Sequence, residues 1–258
     1  MIKISKKCLL GGSNLLYNVN IYINKQETQL HNRGSLIKWI HEKRRCIWFR
    51  VDIKNASWVP ILADEGFNFH HSRDDFVMMY KWLPEDRPAN LPPACHTNLG
   101  VGGLVLNSKN EILVVMEKHF EHPHWKLPGG YVERGEDIKD AAIREVKEET
   151  DVDAIFESMV TLRHTHSAMF GNSDIYVIVM LKATSDTITK SELEIKACRW
   201  MDIDEFLNHP DVIEFNKFIV KQALDLKNRK IKFDLQKSTL KLKTLVRDIT
   251  CLTVEDVQ

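Results

Sequence analysis

Between Gly129 and Val152 the chain reads GGYVERGEDIKDAAIREVKEETDV, two glycines followed by an acid-rich turn and a segment carrying Glu145, Glu148 and Glu149. At 3.6 residues per turn, positions i, i+3 and i+4 share one helical face, so three carboxylates project into one small volume. On the same wheel Glu149 falls between Ile138 and Ala142, beside the apolar stripe those residues share with Ala141 and Val146. A carboxylate placed against a packed face loses hydration, and a cation is what compensates that loss. Oxygen-only donors point to Mg²⁺ or Mn²⁺, hard ions held by a few carboxylates together with water and substrate phosphates.

A divalent ion at such a platform serves phosphoryl chemistry: it neutralises charge on phosphate oxygens and makes a bound water more nucleophilic. Glu145 and Glu149 suit direct ligation, Glu148 completes the cluster, and Gly130 can offer its carbonyl because no side chain blocks approach. Arg144 stands four residues before Glu148, so it can orient carboxylates, and Glu136 in the turn can accept from it. Glu192 and Glu194, in SELEIKACRWMD, are further carboxylates on a later loop, before the last core strand.

The spacing of Gly130, Glu136 and the run Arg144-Glu145-Val146-Lys147-Glu148-Glu149 resembles the signature of the Nudix hydrolases. Asp151 occupies the usual place of a glycine that ends the helix in a left-handed turn, a conformation Asp tolerates better than most residues. The resemblance extends through HTNLGVGGLVLN, WKLPGG, SDIYVIVML and EIKACRWMDIDEF, and includes an N-terminal segment ending in DDFVMMYKWLP. It is to the branch that includes the antisense basic fibroblast growth factor protein and the plant ADP-ribose/NADH pyrophosphatases. It implies an α/β/α sandwich with a mixed sheet, Glu145, Glu148, Glu149 and the Gly130 carbonyl as metal ligands, Glu145, Glu149 or the later-loop Glu194 as the base, and hydrolysis of a nucleoside diphosphate-linked substrate, ADP-ribose or NADH. It also implies that a smaller N-terminal module resembles an acetyltransferase-type fold and serves homodimerisation or substrate gating. No acetyl-CoA loop of the Q/RxxGxG/A kind stands in that module. Arg163, His166, Phe170 and Asp174, in RHTHSAMFGNSD, are candidate substrate contacts: an aromatic for the base and polar groups for ribose or phosphate. Competing readings are a regulatory binding protein that keeps the fold, and an RNA cap or coenzyme A pyrophosphatase.

The elements that must position these groups follow from hydrophobic periodicity. YNVNIYIN (17–24) alternates as a half-buried strand, and residues 30–45 have helical spacing. CIWFRVDI reads as a buried strand, Ala56–Glu65 as a helix ending at Gly66, and NFHHSRDDFVMMYKWL as an extended segment. In a strand His70 and His71 would point to opposite faces and share no metal. Four prolines in PEDRPANLPP mark an extended linker. These signals divide the chain into a module over 1–83, a linker over 84–93, a catalytic domain over 94–226 and a basic tail over 227–258.

In that domain His96–Asn107 and Glu111–Lys118 read as strands, with the Gly100-Val101-Gly102-Gly103 cluster explained by close packing. Further strands fall at Ile155–Thr165, Asp174–Ala183 and Lys196–Met201, then a helix capped by Asp202 through Asn208 and a longer one over Val212–Leu226. Residues 227–247 hold eight basic residues against Asp234 alone, a pattern expected of a solvated or disordered extension that could still meet RNA or an acidic partner.

Composition bounds the rest. In 258 residues, 36 basic and 36 acidic side chains cancel, so no global field recruits nucleic acid or an anionic membrane. Five scattered cysteines without zinc spacing read as reduced thiols of an intracellular protein, cytoplasmic or nuclear. The lysine-bearing N-terminus leaves a mitochondrial address open. No apolar run reaches the length of a membrane helix.

Overall fold

The computed structural model describes residues 3–5, 18–22, 39–166, 168–242 and 245–256. Contacts divide the chain into two compact units, Met1–His96 and Thr97–Gln258.

In the first unit, β1 (Lys3–Ser5), β2 (Asn18–Tyr22), β3 (Cys46–Asp52), β4 (Asn68–Arg73) and β5 (Phe76–Trp82) form one sheet in the order β1-β2-β3-β5-β4. Helix α1 (Trp58–Asp64) packs on it through Leu62, against Ile47, Phe49, Val51 and Met79, and ends before Gly66 at φ +79°. The helix expected over 30–45 lies largely outside the described residues, of which 39–41 are helical. The segment expected as one extended run is a hairpin, because Asp74 and Asp75 make a turn and Arg50 Nη2 holds the Asp75 carboxylate at 2.8 Å.

The expectation that His70 and His71 diverge is corrected. A register shift between Phe69 and His71 breaks the alternation, and the two Nδ1 atoms stand 2.6 Å apart. His70 Nε2 lies 2.8 Å from the carbonyl of Pro92, which can only accept, so that nitrogen carries the proton.

The second unit is a sheet sandwiched between helices. Its strands are β6 (Thr97–Leu106), β7 (Ile112–Glu117), β8 (Gly129–Tyr131), β9 (Ala154–Thr165), β10 (Ser173–Ala183) and β11 (Ile195–Met201), ordered β11-β7-β6-β10-β9 with β8 beside β6. Only β6 and β10 run parallel; the other pairs are antiparallel, so the sheet is mixed. Alternation along each strand sorts side chains to two faces. One face carries Val101, Val105, Leu113, Val177 and Val179 against Ala141, Ala142 and Val146 of α2 (Ile138–Thr150). The other carries Leu104, Ile112, Val114 and Ile178 against Phe206 of α3 (Ile203–Asn208) and Ile219, Val220 and Ala223 of α4 (Glu214–Asn228). The expected cap on α3 is present: the Asp202 carboxylate accepts from the N–H of Asp204 at 2.8 Å and of Glu205 at 3.2 Å.

The basic segment expected as a solvated extension is an ordered hairpin, β12 (Ile231–Leu242) with β13 (Leu245–Asp256). Leu235 is buried, the Phe233 N–H donates to Ser158 Oγ at 3.0 Å, and Lys237 meets Asp137 at 2.7 Å. Ile231, Phe233 and Leu235 supply the apolar alternation that net charge obscured. Among the described residues no helix is long and apolar enough to cross a membrane.

Candidate active site: a carboxylate-lined cavity beside the Gly129-Gly130 turn

The site begins with two glycines that cannot be replaced without displacing something. A Cβ on Gly129 would lie 2.2 Å from the Val101 carbonyl oxygen, so β8 approaches β6 as closely as backbone allows. A Cβ on Gly130 would lie 2.6 Å from Glu145 Oε2, which puts the Glu145 carboxylate directly over the glycine. Gly100 and Gly102, read as close packing, indeed leave room for the Tyr176 ring, at 2.7 and 2.8 Å from their would-be Cβ atoms.

Helix α2 then delivers the carboxylates. Its apolar stripe seats it on the sheet, and Glu149, adjoining that stripe, is only 5% exposed. The Gly129 N–H donates to Glu149 Oε2 at 3.1 Å. Burial pushes the Glu149 carboxyl up to about 7, against the pull of the Lys126 charge and the Gly129 hydrogen bond. Asp151 ends the helix at φ +59°, in the left-handed turn where the sequence substitutes it for glycine.

Arg144 ties turn and helix together. Its Nε and Nη2 donate to the two Glu136 oxygens at 2.9 and 3.0 Å, Nη1 to Glu145 at 2.7 Å and Glu148 at 3.1 Å, and Nη2 to the Tyr131 carbonyl at 3.0 Å. The fork to Glu136 is the main reason its guanidinium is held more firmly protonated than usual. Arg144 and Glu136 thus occupy the orienting positions expected of them.

Glu145, Glu149, Gly130 and Arg144 border a cavity of about 500 Å³, with Glu194 and Glu117 on its wall. Glu194 is placed by the end of β11, its carbonyl accepting from the Lys118 N–H at 2.8 Å. Glu148 is not among the lining residues; its side chain is 59% exposed and turned to Arg144. Glu117 and Lys126 were not singled out by sequence. They form a close ion pair beside Glu149, and a lone lysine within the apolar WKLPGG was the available signal.

The substrate candidates fall elsewhere. None of Arg163, His166, Phe170 and Asp174 lines this cavity. Arg163 Nη2 donates to the buried Asp174 at 2.9 Å, with its guanidinium 5.1 Å from the Tyr176 ring and 5.5 Å from the Phe215 ring. His166 Nδ1 lies 3.1 Å from Ser173 Oγ, and Phe170 is 94% exposed at φ +60°. Arg163 and Asp174 are therefore a strand-to-strand pair between β9 and β10, whereas His166 and Phe170 sit on the connecting loop.

The donor set fits a hard divalent ion: oxygen donors only, one of them a carboxylate stripped of water and short of positive charge. Among the described residues no three His, Cys, Asp or Glu side chains are gathered as a ready-made cage. An ion such as Mg²⁺, which keeps most of its waters and takes few carboxylates, asks for none.

Residues 96–222 match the family model described as NUDIX domain, and residues 20–83 match one described as Nudix hydrolase domain. The chain is 41% identical over 181 residues to Nudix hydrolase 8 of Arabidopsis thaliana, covering 69% of this chain and 49% of that protein. It is 41% identical over 150 residues to nucleoside diphosphate-linked moiety X motif 6 of Xenopus laevis, covering 57% of this chain and 69% of that one. A solved NUDIX hydrolase from Nitrosomonas europaea aligns with a TM-score of 0.44 and 22% identity, over 50% of this chain and 89% of that one. The chain spans 49%, 66% and 59% of the lengths of three curated relatives, so about half to two thirds.

Proposed function

The chain belongs to the Nudix hydrolase family, and from that premise we propose that its second unit is a metal-dependent pyrophosphohydrolase acting on a nucleoside diphosphate-linked substrate. One observation carries the reading: α2 holds Glu145 and Glu149 against the Gly129-Gly130 turn on the wall of one cavity. Mg²⁺ or Mn²⁺ would be held by Glu145, Glu149 and the Gly130 carbonyl, with Glu148 at the solvent margin. Such an ion supplies charge neutralisation on the diphosphate oxygens and lowers the pKa of a bound water.

The chain's own residues do the rest. Arg144 fixes the direction of the Glu145 carboxylate, and Glu136 fixes Arg144. The Gly129 N–H orients Glu149, and Lys126 offsets part of its charge. Water attacks one phosphorus, the new O–P bond forms as the bridging P–O bond breaks, and the attacking water's proton passes to a carboxylate. Of the carboxylates lining the cavity, Glu145, Glu149 and Glu194 are the candidates for that base, Glu194 standing on the wall outside the helix. The products are a nucleoside monophosphate and a phosphorylated partner.

ADP-ribose and NADH are the substrates we propose. Support comes from the resemblance to the pyrophosphatase branch of the family and from the Xenopus relative, which is named for a nucleoside diphosphate-linked moiety. The test incubates the protein with Mg²⁺ or Mn²⁺ and a panel of ADP-ribose, NADH, coenzyme A, dinucleoside polyphosphates and capped RNA, with products resolved by chromatography. Metal-dependent release of AMP from ADP-ribose or NADH is the expected result. A protein that binds metal but turns over no member of the panel would overturn the substrate reading, and one that does neither would overturn the enzyme reading.

A further inference from the structure

β13 presents a strand edge that has no partner among the named strands, since it pairs with β12 alone. Its middle, Ile249–Val254, reads ITCLTV and carries no charge. Leu252 is 53% exposed and Val254 65%, and Thr250 and Cys251 are exposed as well. Proteins that stay monomeric blunt such an edge with lysine, proline or brevity; β13 has neither residue in twelve positions. A long, uncharged edge of β-formers is a template for another strand.

The charges flanking that middle select the occupant. Arg247 and Glu255 stand four residues to either side of Cys251, so the three share one face of the strand. We propose that β13 pairs antiparallel with β13 of a second copy, about a two-fold axis at Cys251. In that register Arg247 of each copy opposes Glu255 of the other, Ile249 opposes Thr253, and Thr250 opposes Leu252. Neighbouring registers are worse. Centring on the Cys251–Leu252 bond offsets each Arg247–Asp256 pair with a like-charged Asp248–Glu255 pair, and centring on the Thr250–Cys251 bond opposes no basic residue to an acidic one, whereas the Cys251 register keeps two ion pairs and sets only Val246 against Asp256 and Asp248 against Val254 beside them. Glu255 is already positioned on this face by Gln236 Nε2 at 3.1 Å and Lys232 at 3.6 Å. An isologous interface of this kind closes on itself and cannot propagate. It places self-association on the C-terminal hairpin, whereas the family resemblance implies it for the N-terminal module.

Sedimentation equilibrium of the full chain tests this. The expected result is a concentration-dependent species of twice 30.0 kDa. Arg247→Glu and Glu255→Arg each set two like-charged pairs across the axis and weaken dimerisation roughly tenfold or more, while the double swap restores it. Cys251→Lys, at a position exposed in the single copy, has the same effect as either swap. Mild oxidation with diamide joins two copies through Cys251, each new disulfide reducing one reagent molecule, and Cys251→Ser abolishes the link. A chain that stays monomeric from roughly 1 to 100 µM, or a dimer indifferent to all these substitutions, would overturn the proposal. Thermal unfolding confirms that each variant is folded.

Discussion

Replacing Gly130 by Ala separates the site from the fold. The new Cβ would stand 2.6 to 2.8 Å from three carboxylate atoms of Glu145. An ordinary non-bonded separation is about 3.5 Å, so the carboxylate must retreat by roughly 0.9 Å. The atoms in the way are the far end of a flexible side chain, and the Gly130 backbone is not at positive φ, so the chain accommodates Ala without refolding. The loss is one hydrogen bond to Arg144, worth about 1 kcal/mol. In a unit of this size that lowers Tm by about 2–4 °C. A displacement of that order in a metal-holding group costs on the order of 100-fold in rate, about 2.7 kcal/mol of transition-state stabilisation. Gly129→Ala provides the contrast: its Cβ meets the Val101 backbone oxygen at 2.2 Å, where neither strand can yield. There the cost falls on folding, about 3 kcal/mol or more. Steady-state kcat/KM and thermal unfolding of both variants read the two effects. Gly130→Ala with undiminished kcat/KM, or with the stability loss of Gly129→Ala, would refute the placement of Glu145 over the glycine.

Other substitutions follow from single contacts. Arg144→Lys cannot reproduce five hydrogen bonds in a fixed fork, so activity falls at least tenfold and stability by about 1–3 kcal/mol, measured by kinetics and denaturant titration. Asp151→Gly removes the strain of a left-handed non-glycine residue and breaks the exposed bridge to Lys147 and a hydrogen bond with Thr189, so Tm rises by about 1–3 °C with activity unchanged. Burial pushes the Cys46 and Cys198 thiols up to about 12, so at pH 8 only about one in ten thousand is thiolate. Under native conditions a maleimide therefore labels the exposed Cys95 while Cys46 and Cys198 resist until the protein is unfolded. Rapid native labelling of Cys198 would contradict that burial.

The parts of the site readable in the sequence are those whose spacing is local. Gly130, Glu136, Arg144, Glu145 and Glu149 lie within twenty residues, and a helix wheel places them before any tertiary contact is known. The wheel also anticipates the burial of Glu149, because one face of α2 must seat on the sheet. What sequence could not place depends on strands distant in the chain. Glu117 and Lys126 meet across an isolated bridge between Val115 and Lys126, and Arg163 joins Asp174 across β9 and β10 instead of lining the cavity. The His70-His71 pair converges because of a bulge, which no period-two argument contains. The C-terminal hairpin was hidden by its lysines: eight basic residues suggest solvation, yet Ile231, Phe233 and Leu235 alternate beneath them.

Mn²⁺ binding followed by electron paramagnetic resonance addresses the central claim that α2 is a metal platform. The wild-type chain, Glu145→Gln and Glu149→Gln should be compared at one pH, with circular dichroism to confirm that each is folded. A saturable Mn²⁺ site in the wild type, weakened about tenfold or more by either substitution together with substrate turnover, is the result the account predicts. Equal affinity and equal turnover in all three proteins would contradict it.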